Sequence, residues 1–92
     1  MNKVYNVRNL KFSGDRMFIT IDNEDYIIPL ADTSLKLLNA GQLERERFTV
    51  SASGYGISWD LIDEDLSIKG LLKFKSNSDL YAADNKEQYP FL

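Results

Sequence analysis

The sequence predicts an α+β fold in one small domain: a three-stranded antiparallel meander, a short helix, a second hairpin and a short final strand. Three observations predict it. Apolar residues alternate with period two in both halves of the chain, glycine, aspartate and asparagine clusters separate the alternating runs, and a leucine cluster behind capping residues interrupts the alternation between the halves. The chain has 92 residues, enough for one domain and too few for two. Residues 1–74 are read as the domain and 75–92 as a C-terminal tail.

Val4, Tyr5, Val7, Leu10 and Phe12 read as the first strand. The turn cluster Ser13-Gly14-Asp15-Arg16 follows, and glycine there tolerates the positive φ that a hairpin demands. Met17, Ile19 and Ile21 alternate against Phe18 and Thr20, a β-branched and aromatic run. The polar turn Asp22-Asn23-Glu24-Asp25 leads into Tyr26-Ile27-Ile28-Pro29-Leu30. Proline cannot donate to a sheet ladder, so Pro29 belongs at a strand end or on an edge.

Asp32, Thr33 or Ser34 can cap a helix, with Leu35, Leu38 and Leu37 as its apolar stripe. Gly41 is placed to end that helix in a left-handed conformation. Leu43-Glu44-Arg45-Glu46-Arg47 adds a further helical turn, and its mixed charges suit an exposed linker. Phe48, Val50 and Ala52 then pair as a hairpin with Tyr55, Ile57 and Trp59 around a Ser53-Gly54 turn. Phe48 and Trp59 are the expected anchors of the core, since large rings bury the most area. Gly56 is expected to let an aromatic ring lie on bare backbone. Beyond an acidic turn, Leu66 and Ile68 alternate with Ser67 and Lys69 as a sixth strand, and Gly70-Leu71-Leu72 closes the domain. The tail carries Leu80-Tyr81 and Tyr89-Pro90-Phe91-Leu92, too apolar for a solvating segment, so it is expected to dock on the domain or on a second subunit.

Composition excludes several chemistries. There is no cysteine and no histidine, so disulfides, thiolate nucleophiles, serine–histidine catalysis and His- or Cys-ligated zinc are unavailable. The net charge is −3 with the two signs mixed, and no basic run of the kind that displaces counterions from phosphates appears. Nucleic acid is therefore not an expected partner. Lys69, Lys73 and Lys75 read as solvated charges. Met1-Asn2-Lys3-Val4-Tyr5 holds no apolar stretch of signal-peptide length, and no run approaches the ~20 residues that span a bilayer. A soluble cytoplasmic protein is expected.

The densest chemistry lies between Gly54 and Leu72. Asp60, Asp63, Glu64 and Asp65 offer the oxygen ligands that calcium or magnesium takes, but without the alternation and central glycine of a calcium loop. A turn, a cap or a partner for Lys69 and Arg47 is the plainer reading, with Leu61 and Ile62 dipping into the core. A glycosidase dyad needs a sugar cleft that so short a chain has little room for. Gly54-Tyr55-Gly56 lacks the further glycine and the Lys-Ser or Lys-Thr of a nucleotide loop. Ser58 has no histidine to activate it and reads as an outward-facing strand residue. Tyr5, Phe12, Phe18, Tyr26, Tyr55 and Trp59 would make a stacking platform only with a basic component, which is thin.

Gly54-Tyr55-Gly56-Ile57-Ser58-Trp59, then Asp63-Glu64-Asp65-Leu66-Ser67-Ile68 and Gly70-Leu71-Leu72, resembles the signature of a bacterial family, number 2442 in the domain-of-unknown-function series. The resemblance covers roughly residues 3 to 72. Relatives commonly have histidine in place of Ser58 and proline in place of Asp60, and the tail after Phe74 lies outside their pattern. The resemblance implies a small α+β domain, often encoded beside another small protein in an arrangement similar to toxin–antitoxin pairs. Some relatives add a helix-turn-helix segment; none is read in these 92 residues, so a repressor role is not expected. The resemblance supplies no catalytic residues and no cofactor.

The expected function is thus a non-enzymatic protein–protein interaction module, antitoxin-like, with Asp60, Asp63, Glu64 and Asp65 supplying charge and Tyr55 and Trp59 shaping the turn. Self-association through an edge strand or the tail is a further expectation. The alternatives are a divalent-metal-dependent hydrolase using the Asp60–Asp65 cluster and a small nucleic-acid-binding regulator.

Overall fold

The computed structural model describes residues 4–74. Two three-stranded antiparallel sheets are joined by short helices. The first is a meander of β1 (Val7–Ser13), β2 (Arg16–Ile21) and β3 (Glu24–Pro29) in the order β1-β2-β3. The second holds β4 (Phe48–Val50), β5 (Gly56–Trp59) and β6 (Glu64–Ser67), with β5 in the middle. Between the sheets in sequence lie a 3-10 turn at Leu30–Asp32, helix α1 (Leu35–Leu38) and helix α2 (Gln42–Glu46); helix α3 (Ile68–Leu71) follows β6.

The meander is written in its turns. Gly14 takes φ 59 between Ser13 and Arg16, which face each other across β1 and β2. Asp22 and Asn23 both take positive φ (51 and 70), the twist that a two-residue hairpin loop shares with its strands, and Ile21 faces Glu24 across it. The pairing of β1 with β2 slips by one residue between Arg8 and Lys11, where Asn9 sits at φ 57. This bulge keeps Val7 and Phe12 on the inner face with Ile21 and Met17. Pro29 ends β3, as its missing N–H requires.

One buried cluster serves both sheets. Met17, Ile19, Ile21 and Ile28 enter it from the meander, Leu30 and Leu37 from the connection, Ile57 and Trp59 from the second sheet, and Ile68 and Leu71 from α3. Trp59 is fully buried, with Phe12 edge-on at 6.3 Å and half-buried Phe48 at 6.4 Å. Its indole N–H donates to the Arg45 carbonyl at 3.0 Å, so the ring buries without an unpaired donor.

Several local expectations are corrected. Ser34 caps α1 by accepting the Leu37 N–H, but Leu37 alone is buried, Leu38 is half-buried and Leu35 is 63% exposed. A four-residue helix is barely one turn, so it presents one residue to the core, not a stripe. Gly41 does not end α1. Asn39 does, with φ −92 and its side-chain amide donating to the Leu35 carbonyl at 3.0 Å. Gly41 instead precedes α2, extended at φ −79, and its N–H donates to the Glu44 carboxylate. Arg45 is no linker residue: its guanidinium reaches three backbone carbonyls and lies 5.3 Å from the Phe12 ring centroid. Ile68 belongs to α3 and not to a longer strand, because Ser67 accepts the Gly70 N–H and caps a helical turn there. Among the described residues the neighbour that a Cβ at Gly56 would meet within 4 Å is the Leu66 carbonyl oxygen and not a ring. The tail docking expected for 75–92 lies outside the described residues.

Candidate functional site

The acidic turn is built by the step from β5 to β6. Trp59 and Glu64 face each other, and Asp60–Ile62 form a 3-10 turn between them. Asp63 closes that turn in the left-handed region, φ 52 and ψ 54. Two hydrogen bonds tie it to the start of α1: Ser34 Oγ donates to Glu64 Oε2 at 2.5 Å, and Lys36 Nζ donates to the Asp63 carbonyl at 2.7 Å. The corner is therefore held from both sides.

The four carboxylates do not converge. Asp60 and Asp63 are exposed on the corner. Glu64 is half-buried and turned toward α1, with its second oxygen accepting the Asp65 N–H. Asp65 faces Ser58 across the strands, on the outer face of the sheet. Among the described residues no group of three or more histidine, cysteine, aspartate or glutamate side chains is placed to hold a metal ion. Ser58 lies between Thr49 and Asp65 in the cross-strand row, as an outward-facing strand serine. Beside it a hollow of about 440 Å³ opens along Ser51, Tyr55, Gly56, Asp65 and Ser67.

Tyr55 is exposed but sits before β5, at the end of that strand opposite the acidic turn. Trp59 lies wholly inside and supports the turn from beneath. Tyr55 and the corner acids Asp60 and Asp63 thus belong to two different surfaces, while Tyr55 and Asp65 line the same hollow. What the sequence reading missed is apolar: Leu61 is 55% exposed, not dipped into the core as Ile62 is, and Leu35 is exposed on the segment that Ser34 and Lys36 pin to the same corner. The available signal was Leu61 standing beside Asp60, outside any alternating run.

The left-handed Asp63 gives a direct test of what that residue does. Asp63→Gly is expected to leave stability within about 0.5 kcal/mol, while Asp63→Ala costs about 1 kcal/mol, because glycine drops the Cβ that makes this conformation costly and alanine keeps it without the short polar side chain that lets aspartate tolerate it. Thermal melts of the two variants decide it. Equal losses would assign the effect to the carboxylate and not to the backbone.

The model of the family described as Protein of unknown function (DUF2442) matches residues 7–77, well over half of the chain. The chain belongs to this family. No curated protein and no solved structure matches it. The DUF2442 match runs past Phe74 to residue 77, further than the sequence pattern reaches. Its span holds both sheets, all three helices and the whole acidic corner of this DUF2442 member. Among the described residues no helix is long and apolar enough to cross a membrane.

Proposed function

We propose that the chain is a non-enzymatic protein–protein interaction module, antitoxin-like in that it covers a basic partner protein encoded beside it. The docking face is the corner of Leu35, Leu61, Asp60 and Asp63. Asp65 flanks it on the sheet, and Glu64 and Trp59 hold it from within.

The observation that carries this reading is the exposure of two leucines on an acidic corner that hydrogen bonds hold rigid. A leucine more than half exposed contributes little burial in the isolated chain. Against a partner it supplies the apolar centre that binding energy concentrates in, while flanking carboxylates set orientation and association rate. A rigid corner also loses little conformational entropy on docking. The toxin–antitoxin-like gene arrangement of relatives supports a partner encoded nearby, and a partner that handles nucleic acid would offer the basic surface required.

Tagged wild-type chain co-expressed with the product of the adjacent gene is expected to retain that product through purification. Combining Leu61→Arg with Asp60→Arg is expected to weaken the complex by tenfold or more, on the order of 1.4 kcal/mol. Recovery of the wild-type chain alone would remove the proposal, and a neighbour that is harmless when expressed by itself would remove its antitoxin-like part.

A further inference from the structure

We propose that the outer face of the meander is a binding platform for single-stranded nucleic acid, independent of the acidic corner. The sequence has no basic run, yet pairing gathers one. Lys11 faces Phe18 and Arg8 faces Thr20 across β1 and β2, while Arg16 is two residues from Phe18 on the same strand. Side chains two apart on a strand share a face, about 7 Å from each other. Arg8, Lys11 and Arg16 are all exposed, so three cations share the outer face with the aromatic ring on the middle strand, Lys11 directly opposite it. Ile27 faces Phe18 from β3 and extends the apolar centre.

The face is hollowed and carries hydrogen-bonding groups. A depression of about 450 Å³ is lined by Asn9, Lys11, Phe18, Thr20, Asp25 and Ile27. Asn9 donates to Thr20 at 3.3 Å and Thr20 donates to Asp25 at 2.7 Å, a relay that crosses all three strands. Among the described residues Asp25 is the one carboxylate lining the depression, and the Thr20 hydroxyl occupies one of its oxygens. Arg8 donates to Asn23 at 2.6 Å, which ties its guanidinium to the β2–β3 turn at one end of this face.

Cations flanking a half-buried ring suit an anionic chain that also presents flat faces. A single strand does: bases stack on the ring and phosphates meet the cations, with no sequence preference needed. An acidic peptide would use the cations but leave Phe18 idle, and a duplex keeps its bases stacked on each other. The β1 bulge makes the arrangement, since Arg8 and Lys11 are three apart and would fall on opposite faces of a regular strand.

Fluorescence anisotropy with a labelled oligothymidylate about 12 nucleotides long tests this in the full chain. Saturable binding is expected at micromolar concentrations in low salt. Three phosphate contacts give a log–log salt slope near −2, hence a loss of about 20-fold between 50 and 200 mM salt. Lys11→Glu combined with Arg16→Glu is expected to abolish binding, and Phe18→Ser to weaken it roughly tenfold, each with an unchanged circular dichroism spectrum. Arg16→Gln, a milder change, is expected to lower the salt slope by about 0.7. A duplex of equal length should bind more weakly than the single strand.

Absence of saturation by about 100 μM protein in low salt would overturn the proposal. So would equal affinity for duplex, or polyglutamate competing as well as the oligonucleotide with Phe18→Ser without effect. The last result would assign the face to an acidic protein.

Discussion

Gly54→Ala is expected to destabilise the protein by about 3 kcal/mol, far more than an exposed loop substitution ordinarily does. Gly54 is buried at φ 70, and a Cβ placed there would lie 2.0 Å from the Tyr5 carbonyl oxygen and 3.0 Å from its carbon. Those atoms are backbone, so no side-chain rotation relieves the overlap. The segment before β1 crosses this loop closely because the Tyr5 N–H donates to the Ser53 carbonyl at 3.2 Å, and Gly54 N–H donates to the Ser51 carbonyl at 2.8 Å. Gly14→Ala is the matched comparison. Gly14 also has positive φ, 59, but among the described residues nothing lies within 4 Å of a Cβ there, so its cost should be the conformational penalty alone, about 1 kcal/mol. The difference of about 2 kcal/mol isolates the clash. Urea unfolding of both variants measures it. Hydrogen exchange should localise the damage in Gly54→Ala to Tyr5 and its neighbours. Similar losses at the two glycines would mean that the N-terminal segment yields without cost.

The elements that sequence reading located were those whose cause is local. Gly14, Asp22 and Asn23 mark turns by backbone conformation, and Met17, Ile19 and Ile21 alternate because one face of β2 is buried. Both hairpins, the Ser34 cap and the buried Trp59 follow from such rules. Errors fell where two local signals competed. Gly41 follows a leucine run, so it reads as a helix end, but Asn39 reaches back to the Leu35 carbonyl first and leaves Gly41 to open the next helix. Ser67 satisfies strand alternation with Leu66 and also caps α3, and the cap prevails even though the Ile68 N–H still donates to the Tyr55 carbonyl at 2.9 Å. Tertiary consequences were not legible at all. The four acids, adjacent in sequence, point in different directions because a left-handed residue and a strand separate them. Arg8, Lys11 and Arg16, scattered in sequence, share a face because of one bulge. Leu35 looked like core because helical periodicity assumes a helix longer than one turn.

Arg45 is the residue whose role was least visible, and its replacement should be among the most damaging. Nε donates to the Leu37 carbonyl at 3.0 Å, Nη1 to Gly14 at 2.8 Å and Nη2 to Leu38 at 3.2 Å, while the Arg45 carbonyl accepts the Trp59 indole. One residue therefore joins the β1–β2 turn, the end of α1 and the core tryptophan of the second sheet. The Leu37 and Leu38 carbonyls lie at the end of α1, where carbonyls run short of backbone donors; the Leu37 carbonyl shares its oxygen with the Ala40 N–H at 3.2 Å. Charge-assisted hydrogen bonds of this kind contribute about 1.5–3 kcal/mol each and are not additive, so Arg45→Ala is expected to cost about 3 kcal/mol. A domain of this size has roughly 4–10 kcal/mol in total, which places the variant near its unfolding threshold at physiological temperature. Arg45→Lys keeps the charge but not the planar fork. An ammonium on a shorter reach meets one or two of the three carbonyls and loses the flat approach to Phe12. Lysine should therefore restore less than half of the loss. Thermal and urea unfolding of the two variants, followed by tryptophan fluorescence, gives the comparison, since Trp59 is the chain's single tryptophan and is bonded to this residue. Full rescue by lysine would reduce Arg45 to a point charge and assign the joining of the two sheets to apolar packing around Trp59.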